Sequence, residues 1–222
     1  MHPPLARGRA VLNSGVQARS AVETTRAPAG GAKAAPRHGS LTETMRLIRS
    51  DIAFRCTYEH KPMRRTTALR MLRHPGVACV VRYRLQCFCF ANGLAPLGRF
   101  LKFLNLILYG VEIDQRARIG GGFLLGHAVT ILITADVTIG ERCVLFHQNA
   151  IGLSPFHEPG RACGPVVIGD DVTFGGGACA YGNIVIGDRC RIGVNSVVDR
   201  SFPADSSLFG VPARQIGRRG GE

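Results

Sequence analysis

The spacing of hydrophobic residues changes near residue 111, and the change divides the chain into two predicted parts. Between residues 41 and 110, large apolar residues recur at every third or fourth position, which is the spacing of one helix face. They are Met45, Ile48, Ile52, Leu69, Leu72, Val77, Val80, Val81 and Leu85. The pattern breaks at Pro62, at His74-Pro75-Gly76, and at Gly93 with Pro96. We therefore predict an α-helical subdomain over residues 41–110.

From residue 111 onward the spacing of bulky apolar residues becomes six. A six-residue repeat is typical of a three-sided solenoid, because one apolar residue of each flat side points inward and the residues after it turn the corner. Alternation with period two, which a β-sandwich requires, is not sustained. We predict a mostly β fold, a parallel β-helix over residues 111–217 with three hexads in each coil. The inward-pointing residues are Ile113, Ile119, Leu125, Ile131, Ile133, Ile139, Leu145, Ile151, Ile168, Phe174, Ala180, Ile186, Ile192 and Val198.

Three segments fall outside both patterns. The hexad repeat lapses between Ile151 and Val166, which predicts a loop that projects from the solenoid. Residues 1–40 are rich in Ala, Gly, Pro and Arg, with few large apolar residues, which predicts a disordered basic tail. A targeting peptide is the alternative interpretation of that tail. Residues 218–222 are predicted to form a short C-terminal tail.

The net charge of +13 does not by itself indicate a nucleic-acid partner, since many basic residues lie in the first forty positions and at the C-terminus. No stacking aromatic motif, zinc-finger spacing or helix-turn-helix signature is present, and we predict no nucleic-acid binding. The apolar stretch from Leu94 to Val111 contains Arg99 and Lys102, so it predicts an amphipathic helix and no membrane span.

The eight cysteines predict a reduced, cytoplasmic protein. They are scattered singly, apart from Cys87 and Cys89, and no secretory hydrophobic segment precedes them. Cys143, Cys179 and Cys190 fall at positions of the hexad repeat where small apolar residues occur elsewhere. We expect these three to be small buried residues.

Four segments carry a resemblance to a known family. They are Val111-Glu112-Ile113, the stretch from Gly120 to Ala128, the stretch from Ile168 to Ala178, and Gly210-Val211-Pro212-Ala213-Arg214. There the sequence resembles the hexapeptide-repeat acyltransferases, and among them the serine acetyltransferases, over about Arg46 to Gly217. The resemblance implies a left-handed parallel β-helix, acetyl-CoA as co-substrate, no metal, a small hydroxyl acceptor, and a homotrimer or a dimer of trimers.

The resemblance also implies the catalytic residues. His127 matches the family's general base, and Glu112 matches the acidic residue, usually aspartate, that orients it. A neutral imidazole with a pKa of about 6.5 can accept a hydroxyl proton at neutral pH. Glu112 lies fifteen residues before His127, and stacked coils could bring the two side chains together. A carboxylate there would fix the imidazole tautomer and stabilise the imidazolium.

The positions that match the family's CoA contacts are Gly152, Gly176, Arg191 and Val194, with Arg214 nearby in the chain. Small residues let an extended thiol arm approach the backbone closely. The planar guanidinium of arginine suits a phosphate group.

The acceptor stays open, because the chain departs from the family where serine is held. Lys61 and Gly126 replace two aspartates, and Cys163 and Gly164 replace an Arg-His pair. One interpretation keeps serine, as in cysteine biosynthesis, with His157, Glu158 and Arg161 of the loop as substitutes. The other is a sugar hydroxyl of a surface polysaccharide.

Two other functions fit the same fold. A zinc-dependent hydratase of the γ-carbonic anhydrase kind would require about three converging histidines, for which His127, His147 and His157 are available. A non-catalytic binding module is the second alternative. Release of free thiol from acetyl-CoA in the presence of an acceptor separates the acyltransferase from both.

Overall fold

The computed structural model describes residues 39–152 and 164–218, and its N-terminal part is helical. The helices are α1 (Leu41–Tyr58), α2 (Arg65–Met71), α3 (Pro75–Ala91) and α4 (Ala95–Tyr109). The side chain of Ser40 caps α1 by accepting a hydrogen bond from the Glu43 N–H, and prolines occupy the first turns of α3 and α4. Gly110 ends α4 at φ 64°, a left-handed conformation that favours glycine.

The rest of the described chain winds into a three-sided parallel β-helix. Its strands are β1 (Val111–Ile113), β2 (Arg118–Ile119), β3 (Leu124–Leu125), β4 (Ile131–Ile133), β5 (Val137–Ile139), β6 (Val144–Leu145), β7 (Ala150–Gly152), β8 (Val166–Ile168), β9 (Thr173–Phe174), β10 (Cys179–Tyr181), β11 (Ile184–Ile186), β12 (Arg191–Ile192), β13 (Val197–Val198), β14 (Ser206–Phe209) and β15 (Arg214–Arg218). The sides are β1-β4-β7-β10-β13, β11-β8-β5-β2 and β15-β14-β12-β9-β6-β3, called here sides A, B and C. Within the described part of the chain, β15 is the only strand that runs antiparallel to its neighbour.

The interior of the prism contains the residues that the hexad repeat predicts. Every inward-pointing residue named above is at most 3% exposed. Burial of a large aliphatic side chain stabilises the fold by about 1.5–3 kcal/mol, so these inward-pointing side chains are the main source of the prism's stability. Cys143 and Cys190 are buried in the same core as expected, whereas Cys179 is half-buried.

The helical pattern predicts the buried faces less well. Ile48, Ile52 and Val80 are buried, but Met45, Leu69 and Leu72 are exposed. The breaks at the prolines and Gly93 coincide with the observed helix ends. The predicted tail (1–40) lies almost wholly outside the described residues, as do most of the projecting loop and of the C-terminal segment.

Helices α1 and α3 attach to the prism through a buried ion pair. The Arg84 side chain is fully buried, and its Nε donates to Oδ2 of Asp51 at 2.9 Å. The same guanidinium donates to the carbonyls of Ile119 and Gly120 at 2.6 Å, and the Phe123 N–H donates to Asp51 Oδ1 at 2.9 Å. The pair therefore fixes the helices to the segment that enters β3.

Helix α4 presents an apolar face to the outside of the protomer. Leu97, Phe100, Phe103 and Ile107 are each about half exposed or more. No helix in the described ranges is long and apolar enough to cross a membrane.

Candidate functional site

One corner of the prism brings together residues that are far apart in the chain. Strand pairing aligns Leu125 with Leu145, Leu145 with Phe174, and Phe174 with Ile192. The residues two positions further on therefore stack on the corner between sides C and A. They are His127, His147, Gly176 and Val194, called here the corner column. Backbone hydrogen bonds from Gly177 to His147 and from Asn195 to Gly176, both 2.9 Å, hold this alignment.

The imidazole of His127 lies at the solvent-exposed start of the column. Its ring centroid is 6.2 Å from those of Phe146 and His147, and the two histidine rings meet edge to face. Gly126 leaves room for the Phe146 ring, because a Cβ at residue 126 would lie 3.1 Å from Phe146 Cδ1. The ring of His127 is thus supported on one side and open to a reactant on the other.

Gly176 has a packing role that the sequence did not indicate. A Cβ at this position would lie 2.6 Å from Cε1 of His147, so glycine lets the imidazole rest directly on the backbone. His147, considered above only as a zinc ligand, therefore fills the column between His127 and Gly176. Its separation from both residues in the sequence hides this arrangement.

The other residues predicted to contact CoA do not all lie on the corner column. Val194 is 57% exposed on the corner column, and Arg191 is exposed on β12 of side C. Arg214 pairs with Phe209 on the last hairpin of the same side. Gly152, in contrast, ends β7 of side A, at φ 144°, and packs against the side chain of Thr134. Within one protomer, Gly152 lies on a different corner from the column.

Glu112 makes its ion pair with a helix. Its Oε1 lies 2.8 Å from Nζ of Lys102 in α4. Among the described residues, Glu112 and His127 form no hydrogen bond. The role of Glu112 in orienting the base stays a prediction, and Lys102 competes for its carboxylate.

A cluster of charged side chains from the helices lies beside His127. Arg55 donates from Nη1 to the Leu125 carbonyl at 3.2 Å, and Gly76 packs directly on that carbonyl. Arg55 Nη2 lies 2.9 Å from His74 Nε2, and His74 is near enough to His127 for their charges to interact. The cluster therefore belongs to the same end of the prism as the candidate base.

The electrostatics of this cluster follow from its contacts. Burial, followed by the positive charge of Arg55, lowers the pKa of His74. The hydrogen bond from Lys61, 2.6 Å long, lowers the pKa of the Glu59 carboxyl, and Arg55 adds to this effect. Lys61 therefore contributes to this cluster as a cation paired with Glu59, and its place in an acceptor site stays a prediction.

The remaining acceptor positions are only partly described. Gly164 packs against Asn183, while Cys163 and the possible substitutes His157, Glu158 and Arg161 lie outside the described residues. Within the described ranges, no three His, Cys, Asp or Glu side chains converge as a metal site requires.

The fold and the corner column define the class of protein as a hexapeptide-repeat acyltransferase. A Synechococcus elongatus relative named serine acetyltransferase is 32% identical over 169 residues, 75% of this chain and 67% of the relative. The Mycobacterium tuberculosis serine acetyltransferase is 33% identical over 171 residues, 77% of this chain and 72% of the relative. The chain belongs to the serine acetyltransferase family, which confirms that it is an acyltransferase.

A solved structure supports the same assignment. The Neisseria gonorrhoeae serine acetyltransferase in complex with serine superposes with a TM-score of 0.68 at 28% identity, covering 81% of this chain and 72% of that chain. The likeness confirms the predicted left-handed parallel β-helix with N-terminal helices. No protein-family model matches the chain.

Proposed function

We propose that this protein is a cytoplasmic O-acetyltransferase that transfers the acetyl group of acetyl-CoA to the hydroxyl of L-serine, with His127 as the general base. The observation that carries the proposal is the corner column, which starts at an exposed, ring-supported imidazole and continues over Gly176 and Val194. Family membership supports the same reaction.

The chemistry requires one proton acceptor beside the thioester. A ring nitrogen of His127 takes the hydroxyl proton as the acceptor oxygen attacks the thioester carbonyl carbon. A new C–O bond forms and the C–S bond breaks. The thiolate of CoA then leaves and takes the proton back from the imidazolium. His74 and Arg55 hold the end of β3 in place, and through it the backbone that carries His127.

We place CoA along the corner column. The exposed Val194 and the absence of a side chain at Gly176 leave a shallow surface for an extended arm. Arg191 and Arg214 on side C are cationic groups suited to the phosphates.

We further propose that the protein works as a homotrimer, or as a dimer of trimers. One protomer does not bring Gly152 to the column, whereas the corner of a neighbour could supply it. Val129, Leu132 and Val194 near the column are exposed apolar residues that an interface would cover. Sedimentation velocity at micromolar concentration should give a trimer or hexamer, and a stable monomer would contradict the shared site.

The direct test measures CoA release from acetyl-CoA and serine with a thiol reagent. Accessible protein thiols also react with such reagents, so the rate without acceptor is subtracted. Loss of a general base lowers a rate by roughly 10²–10⁴-fold, and we expect this for His127→Ala. Arg118→Ala, on side B, is the control and should keep the wild-type rate. A rate for His127→Ala above half that of wild type would overturn the proposal.

A further inference from the structure

A cationic cleft opens among the helices at His74, whose charge interacts with that of His127. It has a volume of about 420 Å³ and lies between the end of α1, helix α2 and the start of α3. The charged and titratable side chains that line it are Glu59, Lys61, Arg70, Arg73 and His74. The cleft is large enough for a small organic molecule.

The charges of the cleft do not balance. The Glu59 carboxylate is paired with Lys61 at 2.6 Å and also with Arg55. Arg70 and Arg73 are exposed, and within the described ranges neither guanidinium forms an ion pair or a hydrogen bond. The lining therefore offers two unpaired guanidinium groups, and its single carboxylate is already in use.

A series of contacts connects the cleft to the strand end that carries the candidate base. His74 lines the cleft, its Nδ1 accepts a hydrogen bond from the Gly76 N–H at 3.2 Å, and Gly76 packs on the Leu125 carbonyl two residues before His127. Arg55 links the same carbonyl to Glu59. These contacts connect the cleft to the end of β3, two residues before His127.

We infer that Arg70 and Arg73 bind an anionic group of the hydroxyl acceptor, so that the enzyme selects small acceptors that carry a carboxylate or a phosphate ester. This inference rests on the proposed function. Guanidinium groups bind both anions through paired hydrogen bonds. The unpaired positive charge repels an ammonium group and makes no charge-charge interaction with a neutral sugar. The amino group of serine is therefore dispensable, while its carboxylate is required.

Four analogues separate these requirements. 3-Hydroxypropanoate is serine without the ammonium group, and 2-aminoethanol is serine without the carboxylate. Glycerol 3-phosphate tests the phosphate ester, and glucose tests an uncharged acceptor. We expect kcat/KM for 3-hydroxypropanoate to equal or exceed that for serine, and that for 2-aminoethanol to be at least about tenfold lower, from one lost charged hydrogen bond. A higher kcat/KM for 2-aminoethanol than for 3-hydroxypropanoate would overturn the inference.

Substitutions locate the effect in the cleft. Arg70→Gln and Arg73→Gln should each raise KM for 3-hydroxypropanoate roughly three- to tenfold, since each removes one solvent-exposed charged contact, with kcat changed less than about twofold. Arg118→Gln, an exposed arginine on β2, is the matched control and should leave KM unchanged. Equal KM values in all three variants would refute a role for the cleft.

Binding provides a measurement that does not depend on turnover. Titration calorimetry with 3-hydroxypropanoate should show binding that weakens in Arg73→Gln and at high salt. If no acceptor is acetylated but this binding is observed, the proposed function is wrong and the anion site stands. If serine is acetylated but 3-hydroxypropanoate neither binds nor reacts, the proposed function stands and the anion site is wrong.

Discussion

Replacing Arg84 by methionine should destabilise the protein severely, because it breaks the buried pair between the helices and the prism. Arg84 is fully buried and Asp51 is 4% exposed, so neither charge is solvated by water. Removing one partner of such a pair costs about 3–5 kcal/mol, against a total stability of about 5–15 kcal/mol for a typical domain. The Ile119 and Gly120 carbonyls would also lose their donor from Arg84.

The assay is urea unfolding at one fixed protein concentration, since assembly would make stability depend on concentration. The double variant Asp51→Leu/Arg84→Met removes the uncompensated carboxylate. We expect it to recover at least about 1 kcal/mol relative to Arg84→Met, because an apolar pair avoids the desolvation cost. Arg189→Met is the matched control, since its pair with Asp205 is 2.7 Å long but about half exposed.

The control pair should contribute less than about 1 kcal/mol. If Arg84→Met lowers the free energy of unfolding by no more than Arg189→Met, burial does not set the strength of the pair and the reasoning is wrong. The activity of Arg84→Met should also fall, because the pair fixes the segment from Ile119 to Phe123 that leads into β3 and His127.

Three further outcomes are expected. Gly176→Ala should lower kcat/KM for acetyl-CoA about tenfold by displacing His147. The control variant Gly39→Ala, at a residue that faces open space, should keep the wild-type value. Equal kcat/KM values for the two variants would contradict the packing role of Gly176. The lowered pKa of His74 means that the unfolded chain binds its proton more readily, so the free energy of unfolding should fall as pH drops through about 6.5. His74→Asn should flatten that slope between pH 8 and pH 5.5, and an unchanged slope would assign it to other groups. Burial raises the pKa of Cys79 and of Cys87 to about 12. A thiol reagent should therefore label neither cysteine in the native protein and both in urea. Mass spectrometry of the labelled peptides would check this.

The prism could be predicted from the sequence because its rule is local. Each short strand has an inward position that must be apolar, and from Ile113 to Val198 the spacing of such residues reveals the coil directly. The apolar spacing of the helices specifies less of the fold than the six-residue repeat does. A period of three to four identifies a helix face, but which face is covered depends on distant partners. Leu69 and Leu72 are exposed for this reason, and the pairing of Asp51 with Arg84 has no local signal.

The candidate site was predictable only in part, for a related reason. The segment around His127 carries a recognisable motif, but the alignment of His127, His147 and Gly176 depends on how coils of unequal length stack. The coil that contains the projecting loop is longer than its neighbours, so counting along the sequence does not align these residues. The contact between Glu112 and Lys102 likewise depends on where α4 meets β1, which the hexad pattern does not specify.

Acetyl transfer and acceptor selection depend on two different parts of the molecule. The corner column belongs to the prism, whose positions are fixed by strand pairing and a tightly filled interior. The cationic cleft belongs to the end of α1, to α2 and to the start of α3, where Lys61, Arg70 and Arg73 are exposed. Acceptor preference can therefore change through substitutions in this helical surface while the column keeps its stacking. Because Arg55 and Gly76 both contact the Leu125 carbonyl, such changes would still act within reach of the base. On this reasoning, a change of charge at Arg73 should alter which hydroxyl is acetylated without altering how the acetyl group is transferred.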